Sequence, residues 1–170
     1  MAPNYNLCLW NVEKAPKHLF TYAATAHKDN LNISNISFSP FDHTVIGTFG
    51  KGIGKLLRYS DGLIRPMSMT LRRDNANFIS SAWLSDERCI VGTDGGEILL
   101  IENFEFRTVI YPCGNENEDM VPVFSLTATG RGFCMGTAHG EIRVFEKADE
   151  NKEQYSLQAV YVLPNETSNV

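Results

Sequence analysis

Gly47-Thr48-Phe49-Gly50, Gly92-Thr93-Asp94-Gly95 and Gly136-Thr137-Ala138-His139-Gly140 are three copies of one short pattern. Successive copies start 45 and 44 residues apart. Each is preceded by a short apolar run: Thr44-Val45-Ile46, Cys89-Ile90-Val91 and Phe133-Cys134-Met135. Each is followed, after a polar turn, by a second run: Lys55 to Tyr59, Glu97 to Ile101 and Glu141 to Phe145. Upstream lie Ile33 to Phe38, Phe78 to Leu84 and Val121 to Thr127; downstream lie Leu63 to Leu71, Phe106 to Tyr111 and Tyr155 to Leu163.

Every unit therefore holds four short runs rich in β-branched and aromatic residues, parted by Gly, Asp, Asn or Pro. That is the pattern of a four-stranded antiparallel meander. A period near 45 residues is that of a propeller blade. Asn6 to Val12 and His18 to Thr25 align with the third and fourth strands of a further unit. The expected fold is all-β: a partial β-propeller of about 3.5 four-stranded blades. The boundaries are a half blade at 1–28, blades at 29–73, 74–115 and 116–165, and a tail at 166–170.

Local chemistry supports the turns. Asp94-Gly95-Gly96 and Ala138-His139-Gly140 suit hairpins that need positive φ. Ser39-Pro40-Phe41-Asp42 and Leu84-Ser85-Asp86-Glu87 carry turn formers. Gly47, Gly92 and Gly136 fall inside strands, where glycine marks close backbone approach, as expected where inner strands crowd a propeller channel. Trp10 and Trp83 fall on expected strands and read as core, a surface hot spot being the other reading.

The chain has 170 residues, 43% hydrophobic and 21% charged, with a net charge of −5. These values suit a globular domain and disfavour disorder and non-specific nucleic-acid binding. No apolar run is long enough for a membrane helix, and Met1 to Leu7 lacks the pattern of a secretory signal. The cysteines, Cys8, Cys89, Cys113 and Cys134, form no C-x-x-C pair, so free thiols in a reducing compartment are expected. Asn-x-Ser/Thr triplets at Asn32, Asn35 and Asn165 read as chance.

Charge is uneven along the chain. Lys51, Lys55, Arg58, Arg65, Arg72 and Arg73 share one stretch with a single acid, Asp61. Residues 86–119 hold nine acids and two bases. The basic stretch is read either as solvated strand faces or as a contact for an acidic partner. It falls on the third and fourth strands of its unit, toward the outer edge. The acidic loop 113–120, with Glu116, Glu118 and Asp119, is read as solvated or as a partner-contact loop.

No catalytic, cofactor or metal site emerges. Gly50-Lys51-Gly52-Ile53-Gly54-Lys55 departs from a phosphate loop, because Leu56 follows Lys55, Phe49 stands where a glycine is required, and a strand comes next. His18, His27, His43 and His139 have no metal-ligand spacing. An enzyme would need ionisable residues clustered at the channel mouth; those segments carry Gly-Thr and aliphatics instead.

The units resemble WD repeats, whose third strand ends in Trp-Asp. Here the position reads Trp10-Asn11, Tyr59-Ser60, Ile101-Glu102 and Phe145-Glu146, without the Trp-Asp pair or the Gly-His pair of that family. Two runs look like the large cilia- and flagella-associated WD-repeat proteins of the axoneme. One is Phe78-Ile79-Ser80-Ser81-Ala82-Trp83-Leu84-Ser85-Asp86 with Ile90-Val91-Gly92-Thr93-Asp94-Gly95-Gly96. The other is Gly132-Phe133-Cys134-Met135-Gly136 through Val144-Phe145-Glu146-Lys147. The resemblance covers roughly residues 30 to 165.

It implies a protein-interaction scaffold in the cytoskeleton of the cilium or flagellum, not an enzyme. It also implies a link to assembly or anchoring of inner dynein arms, and protein partners associated with dynein arms or tubulin. A coiled coil is expected in a longer parent, of which this chain would be a fragment, an isoform or an incomplete gene model. The alternative is a scaffold of another cytoplasmic complex, a vesicle coat or transport machinery. Three and a half blades leave open sheet faces, so the chain is expected to be poorly soluble or to need the missing blades from the parent or a partner.

Overall fold

The computed structural model describes residues 7–11, 13, 18–23, 32–112, 120–149, 154–162 and 164. The acidic loop at 113–119, Cys113, His27 and Asn165 lie outside them. The described residues form β-strands and their connections. β1 (Leu7–Asn11) and β2 (His18–Ala23) make a two-stranded antiparallel sheet. β3 (Ile33–Phe38), β4 (Val45–Ser60), β5 (Leu63–Trp83), β6 (Arg88–Thr93), β7 (Ile98–Glu102) and β8 (Glu105–Ile110) follow in one continuous order. β9 (Val123–Ala128), β10 (Gly132–Thr137), β11 (Glu141–Lys147) and β12 (Tyr155–Val162) make the last sheet, again a meander.

β4 is 16 residues long, which would reach about 50 Å if straight. It doubles back instead. The Tyr59 amide donates to the Thr44 carbonyl at 2.7 Å, and the Thr48 hydroxyl to the Lys55 carbonyl at 3.3 Å. Gly52, at φ 72°, sits at the reversal, in the left-handed region that glycine enters without steric cost. The two halves of β4 are thus the second and third strands of a four-stranded blade I, between β3 and the first part of β5.

β5 then passes without interruption into the next blade. Its residues from Leu63 to Arg72 pair with β4, and those from Phe78 to Trp83 pair with β6. The expected boundary at 73/74 falls inside this strand. Blade II is the second part of β5 with β6, β7 and β8; blade III is β9 to β12. β1 and β2 remain a pair of their own, the sheet that precedes blade I in the chain.

The core lies between sheets and not at one centre. Val45, Phe49, Leu56, Met69 and Leu71 of blade I meet Phe78, Trp83, Cys89, Val91, Leu99 and Ile101 of blade II. Ala82, Ile90, Ile98, Leu100 and Ile110 of blade II meet Val123, Phe133, Met135 and Phe145 of blade III. Leu7 of β1 meets Ile46 and Leu57 of blade I. Side chains alternate across a strand, so β6 and β7 send odd and even residues into different cores. This is why Cys89-Ile90-Val91 and Ile98 to Ile101 are unbroken apolar runs. Phe49, Phe78 and Phe133 are fully buried, each contributing roughly 2–3 kcal/mol by area.

Both tryptophans lie on strands, but only Trp83 is core, at 6% exposure. Trp10 is 52% exposed, against the expectation from sequence. β1 belongs to a sheet of two strands, and among the described residues nothing covers that face.

Candidate interaction surfaces

The Gly-Thr pattern has a physical role in each blade. Its threonine fastens the hairpin between the second and third strands. Thr93 Oγ1 accepts from the Glu97 amide at 2.9 Å and donates to the Glu97 carbonyl. Thr137 Oγ1 accepts from the amides of His139 and Glu141. Thr48, Thr93 and Thr137 are all buried. Gly96 and Gly140, in the turns read as hairpins, have φ of 87° and 73°.

The glycine of the pattern faces a serine of the first strand in every blade. The register pairs Ser37 with Gly47, Ser80 with Gly92 and Ser125 with Gly136. The close approach expected at these glycines is therefore made by side chains, not by backbone. The serines carry a sequence signal of their own, because they too recur, at 37, 80 and 125.

Ser37 and Ser80 join the inner strands of neighbouring blades. Ser37 Oγ lies 3.0 Å from Ser81 Oγ and accepts from Trp83 Nε1 at 3.2 Å, and Ser81 Oγ donates to Asn35 Oδ1 at 2.6 Å. Ser80 Oγ donates to the Val123 carbonyl at 2.6 Å, joining blade II to blade III. Among the described residues these contacts between inner strands are neutral hydrogen bonds, which hold the blades in place.

The six basic residues are not gathered into one cluster. Arg58 stands opposite Arg65 toward one end of the outer strand pair; Lys51 and Arg72 lie near the other, about 20 Å away by strand rise. Arg58 pairs with Asp42 at 3.3 Å, and Arg73 Nη1 reaches both carboxylate oxygens of Glu97 at 2.7 and 2.8 Å. Arg73 therefore ties blade I to blade II. Lys55 is half-buried beside Thr70. Lys51, Arg65 and Arg72 are exposed and make no ion pair among the described residues.

In the turn after β3, Ser39 Oγ accepts from the amides of Phe41 and Asp42. Asp42 Oδ1 accepts from the Thr44 hydroxyl at 2.6 Å and the Thr44 amide at 2.9 Å. These bonds, with smaller help from Arg58 and His43, hold the Asp42 carboxyl below its ordinary range. Burial pushes the Cys89 thiol well up. Among the described residues no three His, Cys, Asp or Glu side chains are grouped to hold a metal ion.

A cleft of about 580 Å³ lies between blades II and III and is lined by Arg88, Glu102, Arg131, Glu146, Lys147 and Asp149 among others. Two of its carboxylates, Glu102 and Glu146, face guanidinium groups. Arg88 Nη2 is 2.6 Å from Glu102, and Arg131 Nη1 is 3.6 Å from Glu146. Paired charges of this kind are a recognition surface more than an acid–base site. Apolar side chains stand exposed at both ends: Ile36 and Phe38 on β3, and Phe124, Ile142 and Tyr161 on blade III.

No protein-family profile matches the chain. It is similar to mouse Cilia- and flagella-associated protein 57, at 24% identity over 206 aligned positions, covering 98% of this chain. It is also similar to Cilia- and flagella-associated protein 57 A of Tetrahymena thermophila, at 25% identity over 92% of the chain. It spans only 16% and 13% of the length of these relatives.

Among solved structures, the Cps50 (Swd1) β-propeller domain of Myceliophteria thermophila superposes with a TM-score of 0.70 at 12% identity, over 93% of this chain and 52% of that one. U3-55K superposes with a TM-score of 0.65 at 14% identity, over 91% of this chain and 47% of that one. Raptor from Chaetomium thermophilum gives a TM-score of 0.68 at 19% identity. The chain is an open, partial β-propeller, similar along nearly its whole length to two proteins named as cilia- and flagella-associated.

Proposed function

We propose that this chain acts as a non-enzymatic protein-interaction scaffold of the cilium or flagellum. The observation that carries this reading is similarity along nearly the whole chain to two relatives, from mouse and Tetrahymena thermophila, both named as cilia- and flagella-associated. The build agrees with it. Rigid blades hold many loops at fixed positions, which suits binding of other proteins. Neutral hydrogen bonds join the inner strands of neighbouring blades among the described residues.

The finer reading is a structural part of the axoneme, linked to assembly or anchoring of inner dynein arms. Lys51, Arg65 and Arg72 are the cations on the outer strand pair that remain open to an acidic partner, such as a tubulin tail or an acidic neighbour. Arg58 and Arg73 contribute indirectly, through their ion pairs. The test is expression of the tagged chain in a ciliated cell, followed by detergent extraction of isolated cilia. Retention in the axonemal fraction is expected, and a uniformly cytosolic chain would refute the reading. Co-sedimentation with microtubules, compared between the chain and its Arg65→Glu/Arg72→Glu variant, tests the basic surface; unchanged binding would remove it.

A further inference from the structure

Arg65-Pro66-Met67-Ser68 lies on the first part of β5, the fourth strand of blade I. Among the serines and threonines of the chain, Ser68 alone has an arginine or lysine three residues before it. No acid occurs from 62 to 73.

The local geometry presents this hydroxyl to solvent. Lys55 pairs with Thr70 and Leu57 with Pro66, so Met67, Ser68 and Met69 stand opposite Leu56 alone. Such a bulge interrupts the ladder and re-aims side chains. Pro66 has no amide to give to the ladder. Along its other edge this part of β5 pairs with no strand among the described residues. Met67 and Met69 turn into the core shared with blade II, and strand alternation turns Ser68 away from it. Ser68 is exposed and its hydroxyl makes no hydrogen bond among the described residues. Ser37, Ser39, Ser80 and Ser81, by contrast, are engaged within the fold. Arg65 and Arg72 stand three and four residues from Ser68, about 10 and 13 Å along the strand. Both are exposed and make no ion pair among the described residues.

We propose that Ser68 is a phosphorylation site for a kinase that selects an arginine three residues before its target, and that the phosphate switches off the basic surface around it. Arg65 is a fixed, exposed cation that a carboxylate of such a kinase can grip through two hydrogen bonds. The edge strand supplies the extended chain that lies in the kinase cleft. The serine oxygen bonds to the γ-phosphorus of ATP, the bond to ADP breaks, and the hydroxyl proton passes to the kinase. The phosphate brings a charge of about −1.5 to −2 at neutral pH, set against the open cations Lys51, Arg65 and Arg72. The site stands by itself; the switch rests on the basic surface proposed above.

The test incubates the folded 170-residue chain with ATP and calmodulin-dependent protein kinase, an arginine-selecting enzyme, and maps phosphate by peptide mass analysis. Phosphate on Ser68 is expected, and Arg65→Ala should slow its incorporation about tenfold. The Arg65 side chain is exposed, so the thermal midpoint of the variant, measured alongside, should not move. No phosphate on Ser68, phosphate there only after unfolding in urea, or an undiminished rate in Arg65→Ala would overturn the site. Retention on immobilised poly-glutamate at low salt reads the switch. The phosphorylated chain should bind about fivefold more weakly than the unmodified chain, and equal retention overturns the switch. Failure of the unmodified chain to bind overturns the basic surface and the switch with it, while incorporation still decides the site.

Discussion

Trp83 Nε1 donates to Ser37 Oγ at 3.2 Å across the boundary between blades I and II. The indole is buried in the core those blades share, and its one polar atom finds its partner on the other blade. Ser37→Ala should leave that N–H unsatisfied and cost about 1–3 kcal/mol. Urea denaturation of the two proteins measures it; a cost within experimental error would show that the indole finds another acceptor.

Phe49→Ala and Phe78→Ala should each cost about 3–5 kcal/mol, because both rings are fully buried between the same two sheets and leave a cavity. Phe124→Ala removes an exposed ring and should stay within about 0.5 kcal/mol. The contrast in thermal midpoint checks the assignment of inside and outside.

Arg73 and Glu97 link the blades through one guanidinium nitrogen and both carboxylate oxygens. Both side chains are partly exposed, so the pair is worth no more than about 1 kcal/mol. Arg73→Glu should destabilise slightly, and the swap Arg73→Glu/Glu97→Arg should recover most of the loss. A double-mutant cycle showing no coupling would remove the link.

Asp42 is held below its ordinary 3.8, first by the Thr44 hydroxyl and amide. A carboxyl depressed in the folded state stabilises the fold above its unfolded value and loses that contribution as pH falls through the folded value. The stability of the chain should therefore drop below about pH 4 more steeply than that of Asp42→Asn. Denaturant titrations between pH 2 and 5, on a scale set by ordinary carboxylates, test it; parallel curves would contradict it.

Cys89 is buried with its thiol pKa raised, whereas Cys8 is exposed. At mildly alkaline pH iodoacetamide should modify Cys8 quickly and leave Cys89 intact until the chain unfolds. Peptide mass mapping with and without denaturant reads this directly.

Much of the fold was legible in sequence because the deciding signals are local. Hairpin turns need glycine where φ is positive, strands alternate with period two, and the Gly-Thr pairs return at the length of a blade. Val45, Ile90 and Met135 could be placed on strands from this alone, and the two strands inside β4 were separable by the glycines around Gly52. The serine partners of Gly47, Gly92 and Gly136 were equally present as a repeat. A lone serine among Asn, Thr and Phe carries no distinctive hydropathy, whereas a glycine inside a strand departs from the strand pattern.

Contacts between blades were not legible, because they join residues 24 to 46 positions apart and depend on how the sheets stack. Tertiary structure alone decided that Arg73 grips Glu97 and that Trp83 reaches Ser37. It alone left Trp10 in solvent while burying Trp83, although both lie on strands of similar pattern. A residue's periodicity tells which face of a strand it takes; only the neighbouring sheet, present beside Trp83 and absent beside Trp10 among the described residues, decides whether that face meets protein or water.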